Sequence, residues 1–130
     1  MKRIALSIKQ PWITLILAGI KNIEIRRWSR KFTGEILLHS GKTIDKREEG
    51  WRLLPPSWLE VAELRGGFVG KANVIGCKEY RSQSAFNEDC ERHRNQPDWF
   101  VPPVMYGFQL AQPELIPFEY ANGNLFFFEV

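Results

Sequence analysis

The sequence predicts an α+β domain, a small β-barrel with a buried N-terminal helix and further short helices packed outside it. A nearly all-apolar segment, Trp12 to Ala18, lies between two strand-like segments, and later strand-like segments carry internal glycines where a barrel would bend. No internal repeat, linker or low-complexity tract interrupts this pattern. At 130 residues the chain fits one domain, residues 1–130.

The first helix is predicted from both of its ends and from its composition. Pro11 suits the first helical position, where a missing N–H costs nothing. Thr14 is the only polar side chain from Trp12 to Ala18, so apolar groups surround the whole helix and it must be buried. Gly19 supplies the positive φ that ends many helices.

The strand after Lys21 alternates with a period of two. Ile23 and Ile25 share one face, whereas Glu24 and Arg26 share the other. Alternate residues on a strand lie roughly 6.5 to 7 Å apart. Glu24 and Arg26 are therefore expected to contact one small ligand, or each other.

The next predicted strand, Glu35 to Ser40, runs from an apolar segment into polar residues at a barrel mouth. His39 either caps the barrel end through a hydrogen bond or acts as donor or acceptor in a site, because its ordinary pKa lies near neutrality. Gly41 lets a backbone N–H approach an anion closely, and Lys42 follows it.

Two helices are predicted from capping-box spacings, Asp45 with Glu48 and Ser57 with Glu60. Their apolar residues are expected to pack over the barrel. These residues are Trp51, Leu54, Trp58, Leu59 and Ala62.

The second half of the chain predicts a long strand from Phe68 to Tyr80, with bulges at Gly70 and Gly76. The polar segment Arg81 to Trp99 is expected to be a solvated excursion, with Ser84 capping a short helix from Ala85 to about Arg94.

The C-terminal part predicts a strand from Met105 to Leu110. Asn122-Gly123 then predicts a hairpin, and Leu125 to Val130 a closing strand.

Composition and charge limit the function classes. With 44% hydrophobic and 25% charged residues the chain is expected to be a soluble globule, and we expect neither a signal peptide nor a membrane-spanning segment, because no apolar run is long enough. We expect a cytoplasmic protein.

The charge is distributed unevenly along the chain. Residues 1–52 hold twelve Lys or Arg against five Asp or Glu, net +7, whereas residues 53–130 hold six against ten, net −4. A basic N-terminal half is typical of a phosphate-bearing partner, although solubilising surface charge explains it equally well.

The cysteines and histidines point to no cofactor and no metal. Cys77 and Cys90 are predicted to be free thiols. Together with His39 and His93 they match the spacing of no zinc module.

Four motifs give the sequence a family resemblance. The runs QPW, AGIK, IEIR and LLHSGK lie within residues 6–42, and GGFVGKANVIGC, YGFQL and LFFFEV fit more loosely. This combination resembles the ASCH domain, a family named for homology to an activating signal cointegrator and related to the PUA fold. The resemblance implies a PUA-like pseudobarrel with its first helix beside a cleft, and an RNA-binding module.

If the barrel mouth gathers the charged groups near this helix, they form a binding site with Trp12 or Trp28 as a stacking surface. Each residue also has a purely structural explanation. Lys21 would satisfy the last carbonyls of its helix, and Glu24 and Arg26 would form an ion pair that only shapes the sheet. The other lysines would lie on the surface, and Trp12 would lie in the core. The predicted ligand-binding set is Lys9, Gln10, Trp12, Lys21, Glu24, Arg26, His39, Ser40, Gly41 and Lys42.

Three functions remain open on the sequence alone. The first is a non-catalytic module that binds single-stranded RNA, a nucleotide or a nucleoside. The second is an amidohydrolase acting on an acylated nucleoside such as acetylated cytidine, with Lys21 and Glu24 catalytic. Such family members are expected to carry a threonine three residues after the lysine, where this chain has Glu24. The third is a protein-interaction adaptor that uses Trp51 and Trp58.

Overall fold

The computed structural model describes residues 2–130 and contains six strands in one mixed sheet. The strands are β1 Ile4–Ile8, β2 Ile23–Arg26, β3 Gly34–Ser40, β4 Gly67–Tyr80, β5 Met105–Tyr120 and β6 Phe128–Glu129. Their order across the sheet is β2-β5-β4-β3-β1-β6. Strand β1 runs parallel to β3, and every other neighbouring pair is antiparallel.

The helices are short, and none within residues 2–130 is long and apolar enough to cross a membrane. They are α1 Trp12–Leu17, α2 Glu48–Leu53, α3 Leu59–Ala62, α4 Gln83–Glu88 and α5 Cys90–His93, with single 3-10 turns at Pro56–Trp58 and Pro97–Trp99. The predicted α+β class is therefore confirmed.

Closure of the predicted barrel is not confirmed, because β2 and β6 are the two edges of the sheet and do not pair within residues 2–130. A side chain spans part of the gap instead. Arg26 on β2 donates from Nη2 to the carbonyl oxygen of Ser7 on β1, at 2.7 Å. The sheet therefore curls far enough to bring β2 beside β1 without a backbone ladder between them.

Helix α1 is buried on every side, as its composition predicts: all six residues from Trp12 to Leu17 are buried. Pro11 lies just before the helix, and Gly19 follows it with φ +79°. Leucines and isoleucines of the helix join the main core with residues from β1, β3, β4 and β5. The helix thus fills the concave side of the curled sheet.

The predicted bulges in β4 are also found. Its pairing with β5 shifts register between Phe68 and Gly70 and again between Val74 and Gly76. A third shift lies between Lys71 and Asn73. A strand of 14 residues needs such bends to follow a tightly curled sheet.

Both predicted capping boxes are wrong. Helix α2 starts after Arg47 and no side chain caps it, because the Asp45 carboxylate binds Trp12 and Arg47 instead. Ser57 lies inside a 3-10 turn, and no side chain caps α3.

The cap of α4 is Ser82 and not Ser84. Its Oγ accepts from the N–H of Ala85 at 3.1 Å. The predicted single helix is divided into α4 and α5. Arg94 ends α5 with φ 62°.

The hairpin predicted at Asn122-Gly123 is wrong as well. Strand β5, which precedes it, pairs with β2 and β4, whereas β6, which follows it, pairs with β1. Gly123 is needed for another reason: a Cβ there would lie 2.5 Å from Ser7 Oγ and 2.7 Å from His39 Cε1. The turn therefore packs down onto β1 and β3 and does not join two paired strands.

Of the apolar residues expected to pack the outer helices, Leu59 is the exception, since 51% of it is exposed. Ala62 is buried, and Leu54 and Trp58 are half-buried against the main core.

Candidate functional site

A cleft of about 650 Å³ opens beside the first turn of α1. Its floor is formed by buried side chains of α1, β1 and β2, and its rim by the loops after β3, after α5 and after β5. The lining residues are Ser7, Ile8, Lys9, Trp12, Lys21, Glu24, Ile25, Arg26, Gly41, Lys42, Thr43, Asp45, Arg47, Asn95, Trp99, Asn124 and Leu125.

Seven of the ten residues in the predicted ligand-binding set line this cleft. They are Lys9, Trp12, Lys21, Glu24, Arg26, Gly41 and Lys42. The other three, Gln10, His39 and Ser40, are buried and point elsewhere.

Lys21 lies at the floor of the cleft and only 2% of it is exposed. Its Nζ donates to the carbonyl oxygen of His93 at 2.5 Å and lies 3.5 Å from Glu24 Oε1. The contact with His93 joins two chain segments 72 residues apart, so the Lys21 side chain does not satisfy the carbonyls of its own helix; the Lys21 backbone N–H donates to Leu15 O at 3.1 Å. Burial lowers the pKa of Lys21, while the Glu24 carboxylate acts in the opposite direction and Arg26 adds a smaller lowering effect.

Glu24 and Arg26 lie on β2, and their side chains bind each other. Arg26 donates from Nε to Glu24 Oε2 at 3.0 Å, and its Nη2 lies 2.9 Å from the same oxygen. Glu24 is 8% exposed. This carboxylate therefore lies between two cations, Lys21 on Oε1 and Arg26 on Oε2, and Arg26 also holds β1 through Ser7.

Gln10 and Ser40 make hydrogen bonds inside the protein. Gln10 donates from Nε2 to the carbonyl oxygens of Val61 and Leu64, both at 3.0 Å, and accepts from Thr14. Ser40 Oγ donates to Leu64 O at 2.6 Å. Their role in this structure is to hold the segment after α3 against β3 and the start of α1.

His39 serves as a buried support for the rim. Nε2 donates to Ala121 O at 2.7 Å, so Nδ1 accepts from Ser7 Oγ, 2.9 Å away. Ser7 Oγ in turn accepts from the N–H of Asn124 at 3.2 Å. Since both imidazole nitrogens are used, His39 positions the segment from Ala121 to Asn124 and, through it, the part of the rim that carries Asn124.

A second polar cluster in the cleft is built around Asp45. Its carboxylate accepts from Trp12 Nε1 at 2.8 Å and from Arg47, whose Nη2 lies 2.7 Å from Oδ2. The Arg47 guanidinium lies over the ring of Trp99, 3.6 Å from its centroid. Trp99 and Trp12 meet edge to face at 6.0 Å. Indole and guanidinium surfaces thus form one wall of the cleft.

The sequence analysis did not predict this wall, because the local patterns around Asp45 and Trp99 predicted other roles for them. The spacing from Asp45 to Glu48 predicts a helix cap, and Trp99 stands at the end of the most polar segment of the chain. Arg47 follows Asp45 by two residues, and that short spacing was the available signal for an acid–arginine pair. Nothing local indicates that Trp99 returns to α1, 87 residues earlier.

The Asp45 cluster should make folding sensitive to acid. Burial by itself raises the pKa of Asp45, but the hydrogen bonds from Arg47 and Trp12 outweigh it and lower the pKa to about 2. Because this is below its ordinary 3.8, the unfolded chain binds more protons between these values, and stability falls as pH falls through them. Since Arg47 is half exposed, the charge of Asp45 should contribute about 1–2 kcal/mol at neutral pH.

We therefore expect Asp45→Asn to cost about 1–2 kcal/mol at pH 7, with the difference from wild type disappearing between about pH 4 and pH 2. Urea unfolding across this pH range measures it. Glu88→Gln removes a carboxylate at an exposed position and is the matched control. Its free energy of unfolding should follow that of wild type across the pH range. A difference in the free energy of unfolding between wild type and Asp45→Asn that stays the same from pH 7 to pH 2 would contradict the expectation.

Neither the cysteines nor the histidines line this cleft. Cys77 and Cys90 are free thiols, as predicted. His93 is buried and stacks on Phe86 at 4.3 Å. Within residues 2–130 no three His, Cys, Asp or Glu side chains are grouped so as to hold a metal ion.

Comparison with known proteins identifies the fold. The crystal structure of a tyrosine-to-phenylalanine mutant of ZmASCH from Zymomonas mobilis superposes on this chain with a TM-score of 0.64 at 13% sequence identity. The superposition covers 92% of this chain and 76% of the ZmASCH chain. The crystal structure of ASCH from the same organism gives a TM-score of 0.61 at 11% identity, covering 91% of this chain and 73% of the other. At such identities the similarity concerns the fold alone. Among curated protein sequences, none matches this chain.

The sequence supplies the family. The ASCH domain profile matches residues 6–119, which includes most of β1, all of α1 and β2, and almost all of β5. The four motifs between residues 10 and 42 fall within this match, as does every cleft residue except Asn124 and Leu125. The chain belongs to the ASCH domain family.

Proposed function

We propose that the cleft binds single-stranded RNA or a nucleotide derived from it. ASCH domains are generally regarded as RNA-binding modules, and the family match makes this the leading function. A volume of about 650 Å³ falls within the range of small-ligand sites, roughly 300–1,000 Å³. The cleft therefore has room for a base with its sugar and phosphate.

The charge of the cleft supports an anionic ligand. Five cationic side chains line it, against the two carboxylates of Glu24 and Asp45, for a net charge of +3 when Lys21 is protonated. Both carboxylates are already bound to arginines. The exposed lysines on the rim, Lys9 and Lys42, pair with no carboxylate within residues 2–130, so they remain able to contact phosphate.

The single observation that carries the proposal is the stacked wall beside these cations. Bases of unpaired RNA stack on aromatic rings and on arginine guanidinium planes. Trp99 and Arg47 offer both kinds of surface within one cleft, and the buried Trp12 packs edge to face against Trp99. The side-chain amides of Asn95 and Asn124 and the hydroxyl of Thr43, also in the lining, supply donors and acceptors for base edges and ribose.

The proposal predicts salt-sensitive binding. With about three phosphate contacts, affinity for single-stranded RNA should fall ~20-fold between 50 and 200 mM salt. Lys42→Gln should weaken binding and flatten this slope, whereas Arg47→Gln, which removes the stacked plane, should weaken binding at every salt concentration. Fluorescence anisotropy of a labelled oligoribonucleotide measures both effects.

Lys71→Gln is the matched control, because Lys71 lies outside the cleft beside Glu35 and Glu114. It should bind like wild type. Affinity that is independent of salt, or an equal loss for Lys71→Gln and Lys42→Gln, would contradict the proposal.

The amidohydrolase alternative is supported by one observation, the complete burial of Lys21. Burial lowers the pKa of Lys21, which favours the neutral amine that a base or nucleophile requires. Glu24 opposes this effect and occupies the position where resembling hydrolases are expected to carry threonine. Incubation with N4-acetylcytidine separates the two functions: release of cytidine that Lys21→Met abolishes would favour the enzyme.

The adaptor alternative has little surface to use. Trp51 is half-buried and donates from Nε1 to the carbonyl oxygen of Asp45 at 2.7 Å. Trp58 is half-buried against the main core. Because both indoles are partly covered by contacts within the protein and no observation favours a partner there, we do not propose this function.

A further inference from the structure

A second basic and aromatic surface begins where the cleft ends. The segment from Ile25 to Gly34 contains four cations and no carboxylate; the cations are Arg26, Arg27, Arg30 and Lys31. Arg26 lines the cleft, and the other three continue along the chain away from it. The positive charge of the cleft therefore continues along the chain from Arg26 to Lys31, with no acidic residue between them.

Aromatic rings accompany these cations in space. The Arg26 guanidinium lies 5.9 Å from the centroid of the Trp28 ring, and Trp28 meets Phe126 edge to face at 5.1 Å. The guanidinium of Arg30 lies 5.9 Å from the ring of Phe32. We name Arg26, Trp28, Arg30, Phe32 and Phe126 the basic aromatic track.

This surface includes exposed apolar side chains, whose exposure contributes nothing to the stability of the fold. Phe126 is 53% exposed and its neighbour Leu125 is 76% exposed. Phe127, by contrast, is buried in the core. Leu125 also lines the cleft, so the exposed apolar pair connects the cleft with the track.

The track ends in a separate hollow of about 460 Å³. It is lined by Ser29, Arg30, Lys31, Phe32, Thr33, Gly76, Cys77 and Glu79. The one carboxylate in this lining, Glu79, is bound to Arg81 at 2.9 Å. The hollow therefore presents two cations and an aromatic ring to a ligand that continues from the cleft.

We propose that the ligand is a single RNA strand of several nucleotides, which places one nucleotide in the cleft and its neighbours along the basic aromatic track. This inference rests on the proposed function and makes it specific, because a free nucleoside or nucleotide would use the cleft alone. A base stacks on the exposed ring of Phe126, and the phosphates on either side bind Arg30 and Lys31. Alternating rings and cations without free carboxylates match a strand whose bases and phosphates alternate.

The experiment compares ligand lengths. Each of the four ribonucleoside 5′-monophosphates and the hexamer of each matching homopolymer is titrated by calorimetry against the full chain. Wild type should bind at least one hexamer about 10-fold tighter than its monophosphate, because one additional stacked base and its phosphates contribute. Phe126→Ala and Arg30→Gln should each remove most of this gain and leave monophosphate affinity unchanged, since both residues lie outside the cleft.

Two matched controls accompany these variants. Tyr120→Ala removes another aromatic ring that is 82% exposed, and Lys71→Gln removes another cation outside the track. Both should retain the full gain. Hexaglutamate, added as a competitor, should displace the hexamer poorly, because it carries charge but no bases.

The outcomes separate the inference from the proposed function. Monophosphates that bind while hexamers bind no tighter, or a gain that survives the Phe126→Ala/Arg30→Gln double variant, would overturn the track alone. Displacement by hexaglutamate as effective as by RNA would overturn it in favour of an acidic protein partner. Absence of binding by both monophosphates and hexamers would overturn the proposed function and the track together.

Discussion

Replacing Glu24 by Gln is expected to lower the free energy of unfolding by about 3 kcal/mol at neutral pH. Glu24 is the single carboxylate within reach of Lys21 in the described chain, and it also binds Arg26. Lys21 is 2% exposed, so the variant would leave a buried ammonium group without its counter-charge. Losing one partner of a buried ion pair costs far more than losing an exposed pair.

The loss should depend on pH through Lys21. Glu24 raises the pKa of Lys21 against the larger lowering effect of burial, so its removal lowers that pKa further. The unfolded chain then binds more protons than the folded chain up to the ordinary lysine value of 10.5, and stability rises with pH in that window. The penalty of Glu24→Gln should accordingly be smaller at pH 9 than at pH 7.

Urea unfolding of wild type and Glu24→Gln at both pH values measures this. Glu63→Gln, at an exposed position, is the matched control and should change stability by less than about 0.5 kcal/mol. The double variant Lys21→Met/Glu24→Gln should recover part of the loss, because the buried ammonium group is then absent, whereas the loss of the Arg26–Glu24 contact remains. A Glu24→Gln protein as stable as wild type would mean that this pair carries no net stability.

Gly70→Ala is expected to destabilise the protein by about 3 kcal/mol, near the upper end for overpacking a core. A Cβ at this position would lie 2.4 Å from Leu17 Cδ2 and 2.7 Å from the carbonyl oxygen of Glu114. The leucine side chain can turn away, but the carbonyl belongs to the neighbouring strand β5 and cannot move alone. The substitution should therefore push α1 off the sheet, or β5 away from β4.

Thermal and urea unfolding check this expectation, with Gly41→Ala as the matched control. At Gly41 a Cβ would meet no atom closer than 3.9 Å, and the backbone needs no positive φ there. That variant should unfold within about 0.5 kcal/mol of wild type. Equal stability of the two variants would show that α1 and Gly70 are not in close contact.

These two positions also show how far sequence reasoning reaches. Gly70 was expected to mark a bulge, and the register of β4 does shift there. The closer reason for glycine, the approach of Leu17 and Glu114, needs contacts between residues 53 and 44 positions apart in the chain. Local pattern predicts that a strand bends, but not what packs into the bend.

The candidate site divides in the same way. Lys21, Glu24 and Arg26 could be found because the alternation of one strand and the stop of one helix place them together within six residues. His39 and Ser40 do not line the cleft. The sequence could not show this, because alternation assigns a residue to a face of a strand but does not say what covers that face. Here the segment from Ala121 to Asn124 covers His39, and the segment after α3 covers Ser40.

By itself the sequence determined the α+β class, the burial of α1 and the charged residues of β2, because each of these follows from interactions within a few residues of chain. The tertiary structure alone decided that the sheet stays open at β2 and β6, that Gly123 packs onto Ser7 and His39 instead of forming a hairpin, and that Trp99 and Arg47 complete the cleft. The physical reason is that burial free energy is gained between segments distant in the chain, and their arrangement depends on packing volume and hydrogen-bond partners that no local periodicity records.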